Sequence, residues 1–168
     1  MLDRRLPLRI GVGIIVLNSK NLVFVGRRID NPIDMWQMPQ GGVEENEYLL
    51  SAMKRELYEE TSIKSVEVLK ELDKWLEYEL PKNLLGKIWK GKFRGQKQKW
   101  FITRYTGDES EIDVNTKYPE FIEWKWIKMD ELPKVAVDFK KKTYTTEYFW
   151  MDEKKKFKKK TKCKIVKS

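Results

Sequence analysis

The chain of 168 residues contains no histidine and a single cysteine, Cys163. One cysteine cannot build a disulfide framework, and without histidine the chain lacks the common nitrogen ligand for metals as well, so a cysteine or histidine zinc site is excluded. Any metal bound by this chain must therefore be held by oxygen atoms. Oxygen ligands favour Mg²⁺, Mn²⁺ or Ca²⁺ over zinc or copper.

Long apolar runs are also missing at the start of the chain. The stretch from Met1 to Pro7 carries Asp3, Arg4 and Arg5 and has no apolar run long enough for a signal peptide or a membrane span. We therefore expect a cytoplasmic protein with no membrane partner. Because domains most often run to about 100 to 150 residues, the length predicts one catalytic domain, which we assign to residues 1–153.

The net charge of +9 is not spread along the chain. Residues 154–168 contain nine lysines and no acid, which leaves 26 basic and 26 acidic residues in the remainder. Such a run is typical of a disordered, solvated end, but it would also attract polyanions in a salt-sensitive and sequence-independent way. The tail is weak support for an RNA partner.

The first part of the chain predicts a hairpin followed by a shaped loop. Two apolar runs, Leu8 to Leu17 and Leu22 to Val25, flank a polar turn at residues 18–21. The stretch from Trp36 to Gly42 reads WQMPQGG, and its proline and paired glycines argue against a regular central strand. We expect a loop that leads into a helix.

A helix is predicted from about Glu47 to Ser62. Apolar residues recur there at helical spacing, namely Leu49, Leu50, Ala52, Met53 and Leu57. Segments rich in strand-forming residues follow at 65–72, 75–80, 97–105 and 121–127, and a closing helix is expected from Asp138 onward. This mixture predicts an α/β fold in which helices flank a sheet.

Three acids share one face of the predicted helix. Glu56 is three residues before Glu59 and four before Glu60, so the three carboxylates lie close together. Unless a cation sits between them, at least one should have a raised pKa, which makes a hard divalent cation the natural partner. A solvated acidic face is the alternative. The glycine-rich entry, in which Gly41 and Gly42 let backbone approach a ligand, favours a metal–phosphate site.

The whole pattern then matches a known motif. Gly41 is followed after five residues by Glu47, and after seven more by the run RELYEETSI from Arg55 to Ile63. This stretch resembles the Nudix box at every defining position except Ser62, where the family has glycine. The resemblance implies a Nudix fold, an α/β/α sandwich with a mixed β-sheet and a catalytic loop-helix. We expect Ser62 to weaken the turn more than metal binding.

The resemblance also implies residue roles. The expected metal is Mg²⁺, with Mn²⁺ as a substitute, held by Glu56, Glu59 and Glu60 beside the Gly41 carbonyl. Arg55, which belongs to the implied catalytic set, would join Glu47 in holding the loop to the helix through charge-assisted hydrogen bonds. One glutamate is expected to help activate the attacking water. Which one does so, and how many metals bind, stay open.

The resemblance extends beyond the box to about residues 8–150, and three further stretches narrow it. Residues 36–42, 95–101 and 120–126 are similar to the bacterial RNA pyrophosphohydrolases and the related plant-type diadenosine tetraphosphate hydrolases. The likeness makes Glu120 a further metal-binding, catalytic carboxylate. It also implies substrate-binding roles, which fall on Arg9, Arg28, Lys97, Lys99, Phe139 and Lys140. Of these, Arg9 lies in a stretch whose residue sequence, PLRIG, differs from the one usual in the family.

Two of these roles have a physical basis. Lys97 and Lys99 alternate with glutamines on a predicted strand, so both cations would lie on one face, where a polyphosphate could bind. Phe139 followed by Lys140 matches a position where an aromatic ring stacks on a base beside a phosphate-binding lysine. The alternatives are an ordinary exposed strand face and a buried core phenylalanine.

The expected function is removal of pyrophosphate from the 5′-triphosphate end of RNA, a step in mRNA decay. The first alternative is asymmetric hydrolysis of dinucleoside polyphosphates such as diadenosine tetraphosphate, which would use the same site. The second is a Nudix module that binds nucleotide or RNA without cutting. Base preference and oligomeric state are not readable from the sequence.

Overall fold

The computed structural model describes residues 6–30 and 34–135. Its strands are β1 (Leu8–Leu17), β2 (Val23–Arg28), β3 (Trp36–Gln37), β4 (Gln40–Gly42), β5 (Val66–Glu79), β6 (Gly95–Tyr105) and β7 (Phe121–Ile127). The helices are α1 (Leu49–Thr61) and the short α2 (Leu132–Val135). The strands form one seven-stranded sheet in the order β3-β2-β1-β6-β5, with β4 paired to β1 and β7 paired to β2.

Strand β1 lies in the middle of this mixed sheet. It runs parallel to β6 along its whole length and antiparallel to β4, where Val12 pairs with Gly41. Its side chains alternate between two cores, because successive residues of a strand point to opposite faces. Ile14 and its same-face neighbours join the core under α1, whereas Ile15 and Leu17 join the core that includes Leu132 of α2. Burial on both faces explains the nearly continuous apolar run of β1.

Helix α1 covers one face of the sheet through Ala52, Met53 and Leu57, all of which are buried. These three residues agree with the predicted apolar stripe. Leu50, which the sequence also assigned to that stripe, is 44% exposed. At about 100° per residue Leu50 lies only about 20° from Leu57 around the helix axis, at the edge of the stripe, and it is the second residue of α1, in the first helical turn.

The predicted α/β class with a mixed sheet is confirmed, with two local differences. The stretch predicted as a loop contains two short strands, β3 and β4, because Met38-Pro39 interrupts pairing only briefly. Strand β5 runs through both of its predicted segments, with irregular pairing to β6 between Glu71 and Trp75. None of the described helices is long and apolar enough to cross a membrane. The expected closing helix and the tail at residues 154–168 lie outside the described residues.

Candidate active site

A cavity of about 980 Å³ opens beside the N-terminal part of β1 and the acidic face of α1. It is lined by all four predicted carboxylates and by Gly41, and the predicted arginines Arg9 and Arg28 line it as well; the carboxylates are Glu56, Glu59, Glu60 and Glu120. The structure therefore brings residues from five separate parts of the chain to one place. The sequence alone could not show that Glu120 lies close to α1, because the two are far apart along the chain.

The entry loop before α1 is held by a reciprocal pair of hydrogen bonds. The backbone N–H of Glu44 donates to Glu47 Oε1 at 3.0 Å, and the N–H of Glu47 donates to the Glu44 carbonyl at 3.1 Å. Between them, Asn46 adopts a left-handed conformation with φ 62°, which asparagine tolerates better than most residues. This local turn aims the Glu47 carboxylate back towards the helix.

Arg55 joins that loop to α1. Its Nε and Nη2 donate to the two carboxylate oxygens of Glu47, each at 2.8 Å, and Nη2 also donates to the Gly42 carbonyl at 2.8 Å. Its Nη1 donates to Glu56 Oε1 at 2.8 Å and to Glu59 Oε2 at 3.2 Å. The hydrogen bonds from Arg55 hold the pKa of Glu47 at about 2, well below its ordinary value. The guanidinium thus fixes the loop and orients two of the acids.

Glu56 can keep its position against the backbone only because residue 41 is glycine. A Cβ added at Gly41 would lie 2.0 Å from Glu56 Cδ and 2.1 Å from its Oε2, distances that no real carbon atom could keep. The pKa of Glu56 is raised by burial, and the hydrogen bond from Arg55 opposes that shift. The sequence anticipated a raised pKa among these acids but from repulsion between them. In the structure, burial is the larger cause and the charge of Glu59 a smaller one.

The donor set suits a hard divalent cation. The carboxylates and the adjacent backbone supply only oxygen atoms, which are the ligands that hard divalent cations prefer. The cavity lining has five acids against three cations, so a polyphosphate would be repelled without added positive charge. Across residues 6–30 and 34–135, no three acids already converge as a ready metal site. Glu56 and Glu59 instead share the guanidinium of Arg55.

Arg9 and Arg28, the two predicted arginines, differ in how they are held at the cavity. The Arg9 guanidinium lies 5.2 Å from the centre of the Trp89 ring, and burial lowers its pKa, against the opposing charge of Glu56. An arginine stays charged even so, and a partly desolvated guanidinium gains from an anionic partner. Arg28 is held by Asp30 through bonds of 2.8 and 2.6 Å, which raise the Arg28 pKa.

The structure does not bring Lys97 and Lys99 into the cavity. Their ammonium groups lie 5.1 and 5.5 Å from the centre of the Trp75 ring, and Lys99 also donates to the Asp73 carbonyl at 2.8 Å. The predicted alternation on β6 is correct, but the cavity receives the opposite face of the strand, which carries Gln96. Phe139 and Lys140 lie outside the described residues.

Gln96 lines the cavity although the sequence gave it no role, since the prediction placed the binding face of β6 at Lys97 and Lys99. It is 1% exposed, lines the cavity and accepts a 2.7 Å hydrogen bond from the Tyr78 hydroxyl. Its Nε2 has no hydrogen-bond partner among the described residues. Burial raises the pKa of Tyr78 to about 12, so this hydroxyl stays protonated and donates to Gln96. The amide N–H₂ of Gln96 is therefore an unused hydrogen-bond donor at the cavity wall.

Ser62, the one departure from the motif, adopts the conformation that glycine favours. It caps α1 with φ 63° and ψ 8°, and its N–H donates to the Tyr58 carbonyl at 2.8 Å. Its hydroxyl donates to the Asp113 carbonyl at 2.9 Å. The turn is therefore kept despite the serine, and the side-chain bond offsets part of the left-handed strain.

Comparison with known proteins agrees with this geometry. A family model for the NUDIX domain matches residues 7–147. The RNA pyrophosphohydrolase of Pelagibacter ubique (strain HTCC1062) is 62% identical over 139 residues, covering 83% of this chain and 88% of that protein. The RNA pyrophosphohydrolase of Rickettsia conorii (strain ATCC VR-613 / Malish 7) is 45% identical over 139 residues, covering 83% of this chain and 86% of that protein.

Solved structures share the fold at lower identity. The dihydroneopterin triphosphate pyrophosphohydrolase of E. coli has a TM-score of 0.66 at 19% identity, covering 87% of this chain and 99% of that one. An Ap4A hydrolase of C. elegans has a TM-score of 0.58 at 19% identity, covering 77% of this chain and 86% of that one. The motif on a loop and helix, the cavity it lines and the extent of these matches show that the chain belongs to the Nudix family of hydrolases.

Proposed function

We propose that this chain removes pyrophosphate from the 5′-triphosphate end of RNA and leaves a 5′-monophosphate. The observation that carries the proposal is the cavity itself, where the acids of α1 and two arginines line one space of about 980 Å³, large enough for a triphosphate. Relatives that are 45% to 62% identical over most of the chain are named RNA pyrophosphohydrolases. In the reaction, water attacks phosphorus, one anhydride bond breaks and pyrophosphate leaves.

The alternatives are not favoured. The likeness to the C. elegans Ap4A hydrolase rests on 19% identity, which supports a shared fold and not a shared substrate. A Nudix module that binds without cutting would not need all four carboxylates, yet Glu56, Glu59, Glu60 and Glu120 line one cavity. RNA is therefore the preferred substrate class, and hydrolysis the preferred activity.

Nudix hydrolases generally use divalent metal ions, and we propose Mg²⁺ for this chain, with Mn²⁺ as a substitute. The four carboxylates and the Gly41 carbonyl would hold it. When bound, such a cation supplies positive charge to the phosphate oxygens as negative charge builds on the leaving group. It would also favour the ionised form of Glu56, whose pKa burial has raised.

The chain's own residues position the substrate. Arg9 and Arg28, which line the cavity, would bind phosphate oxygens, and Gln96 Nε2 would donate to a further oxygen. Arg55 acts on the acids rather than on the substrate, since it lies behind Glu56 and Glu59 and outside the cavity lining. Phe139 and Lys140 remain proposed contacts for a base and a phosphate.

The first test compares two substrates. Purified protein with Mg²⁺ is incubated separately with 5′-triphosphate RNA and with diadenosine tetraphosphate, and kcat/KM is measured for each. A higher kcat/KM for RNA, with pyrophosphate released and a monophosphate end left, is expected. A preference for the dinucleotide, with ATP and AMP as products, would contradict the RNA proposal and leave the hydrolase assignment intact.

The second test asks whether the acids act in the reaction. Glu59→Gln keeps the shape of the side chain but removes its charge, so turnover is expected to fall by about 100-fold or more, as for loss of one electrostatic contact in a catalytic site. Glu45→Gln is the matched control, because Glu45 is exposed in the entry loop and does not line the cavity. Equal activities of the two variants would count against the proposed metal set.

We further propose that the chain acts in the cytoplasm, in mRNA decay, and that residues 154–168 increase its affinity for RNA. Deletion of this tail is expected to weaken RNA turnover at low salt while sparing dinucleotide turnover, because lysine contacts to phosphates are salt-sensitive. Equal losses on both substrates would refute a role of the tail in RNA binding.

A further inference from the structure

The connection between β5 and β6 is strongly basic. Residues 81–94 read PKNLLGKIWKGKFR and contain five basic residues and no acid. We call this segment the basic loop. Outside the tail the chain has equal numbers of acids and bases, so a local excess of this size means that positive charge is concentrated at one place on the catalytic domain.

The basic loop is built from tight turns that fix its shape. Successive turns are closed by hydrogen bonds from Leu84 N to the Pro81 carbonyl at 2.9 Å, and from Gly91 N to the Ile88 carbonyl at 3.0 Å. Gly86 adopts φ 82°, and three consecutive residues at 89–91 have φ of 51°, 57° and 70°. Two of those three are not glycine, and such strained conformations cluster where a segment serves a function.

Four lysines of the loop point into solvent and have no neutralising partner among the described ion pairs. These are Lys82, Lys87, Lys90 and Lys92, all of them exposed. The fifth base, Arg94, is engaged at the base of the loop, where Nε donates to Glu79 at 3.3 Å and Nη1 donates to the Leu6 carbonyl at 2.6 Å. Glu79, the acid next to the loop, therefore pairs with Arg94, and the charges of the four lysines remain available to bind an anion.

The same loop forms part of the cavity wall. Ile88 and Trp89 line the cavity, the Arg9 guanidinium lies 5.2 Å from the centre of the Trp89 ring, and Phe93 packs edge-on against that ring at 6.3 Å. Trp89 thus stands where the proposed phosphate site ends and the lysines begin. An aromatic ring beside a row of cations is the arrangement that proteins use to hold single-stranded nucleic acid.

We propose that the basic loop binds the body of a single-stranded RNA as it leaves the cavity. The proposal deepens the proposed function, on which it rests, by assigning a surface to the nucleotides that follow the 5′ end. The lysines contact backbone phosphates, and Trp89 offers its ring to a base at the mouth of the cavity. Binding of this kind does not depend on sequence and weakens as salt rises.

The basic loop would bind long RNA substrates but not short ones. A 5′-triphosphate dinucleotide places its phosphates in the cavity but is too short to extend along the loop, whereas a longer 5′-triphosphate RNA reaches the lysines. The loop should therefore lower KM for the longer RNA and leave kcat unchanged, because the lysines do not contact the reacting phosphates.

The test uses the full chain and a variant with Lys82→Gln, Lys87→Gln, Lys90→Gln and Lys92→Gln. A matched control carries the same loss of charge at exposed lysines elsewhere, as Lys20→Gln, Lys54→Gln, Lys128→Gln and Lys134→Gln. Affinity for a 5′-hydroxyl single-stranded RNA is measured by fluorescence anisotropy over a range of salt. This readout does not depend on hydrolysis.

The loop variant is expected to bind the 5′-hydroxyl RNA at least about ten-fold more weakly than the control at low salt. If each lysine contacts one phosphate, the slope of log K against log salt becomes shallower by about 3, since each contact to a single strand contributes about 0.7. The KM of the loop variant for the longer 5′-triphosphate RNA should rise by a similar factor. Its KM for the 5′-triphosphate dinucleotide should stay unchanged.

The outcomes separate this inference from the proposed function. Equal RNA affinity in the loop variant and the control would overturn the inference while leaving hydrolysis of RNA ends untouched. RNA binding that depends on the loop, in a protein that does not hydrolyse 5′-triphosphate RNA, would support the surface and refute the proposed function. Loss of binding to phosphatidylserine vesicles with unchanged RNA affinity would assign the loop to a membrane surface and overturn the inference.

Discussion

Gly41→Ala tests the link between the entry loop and the acidic helix face. The added Cβ would lie 2.0 Å from Glu56 Cδ, whereas non-bonded carbon atoms settle at about 3.5 Å, so the carboxylate must move by about 1.5 Å. A misplacement of about 1 Å in a catalytic site can cost about 100-fold in rate. We expect kcat for 5′-triphosphate RNA to fall by at least that factor. Stability should change little, because the end of a glutamate side chain can rotate away.

The neighbouring glycine supplies the control. In Gly42→Ala the new Cβ would lie 2.3 Å from Arg9 Nη2, so the displaced group is a proposed phosphate ligand and not a carboxylate. We expect this variant to raise KM more than it lowers kcat. Steady-state kinetics and thermal unfolding are measured for both variants. Wild-type kcat in Gly41→Ala, with the fold intact, would refute the conclusion that Glu56 must sit against Gly41 for activity.

Three further predictions follow from local contacts. Ser62→Gly should be more stable than Ser62→Ala by about 1 kcal/mol in urea unfolding, because only glycine relieves the left-handed strain at φ 63°; equal stabilities would contradict that account. Glu47 has a folded pKa of about 2 against an ordinary value of 4.5, so its contribution to stability is complete above pH 4.5 and is lost as pH falls towards 2. The melting temperature of Glu47→Gln should therefore depend less on pH in that window than that of the wild type. Gln96→Leu should lower kcat/KM by about ten-fold through loss of one donor, while Tyr78→Phe, which leaves that donor in place, should have a smaller effect; the reverse order would argue against a substrate contact.

Motifs with a local physical cause could be recognised from the sequence. The spacing of Glu56, Glu59 and Glu60 determines that their carboxylates share a helix face, and the turn at residues 18–21 lies between apolar runs that become β1 and β2. The absence of histidine, together with a single cysteine, by itself restricts the metal chemistry to oxygen ligands. Each of these inferences depends on residues within a few positions of one another.

Predictions that needed the relative placement of strands were less accurate. The alternation on β6 was correct, but the sequence could not tell which face of that strand borders the cavity, and the site receives Gln96 instead of Lys97 and Lys99. A strand with period two has the same sequence pattern whichever way it faces, and only packing against its neighbours chooses. The two short strands β3 and β4 escaped prediction for a related reason, because pairing with β2 and β1 overrides a weak local preference.

The sequence by itself determined the chemistry of this protein: an oxygen-only donor set, an acidic helix face, a glycine entry at Gly41 and the Nudix motif that contains them. The tertiary structure alone decided which distant residues join that chemistry. It brings Glu120, Arg9 and Arg28 to one cavity, turns Lys97 away from it, and sets the basic loop at residues 81–94 on its wall. Local residue pattern encodes what a segment can do, whereas strand order and register, which arise from packing along the whole chain, decide where it does so.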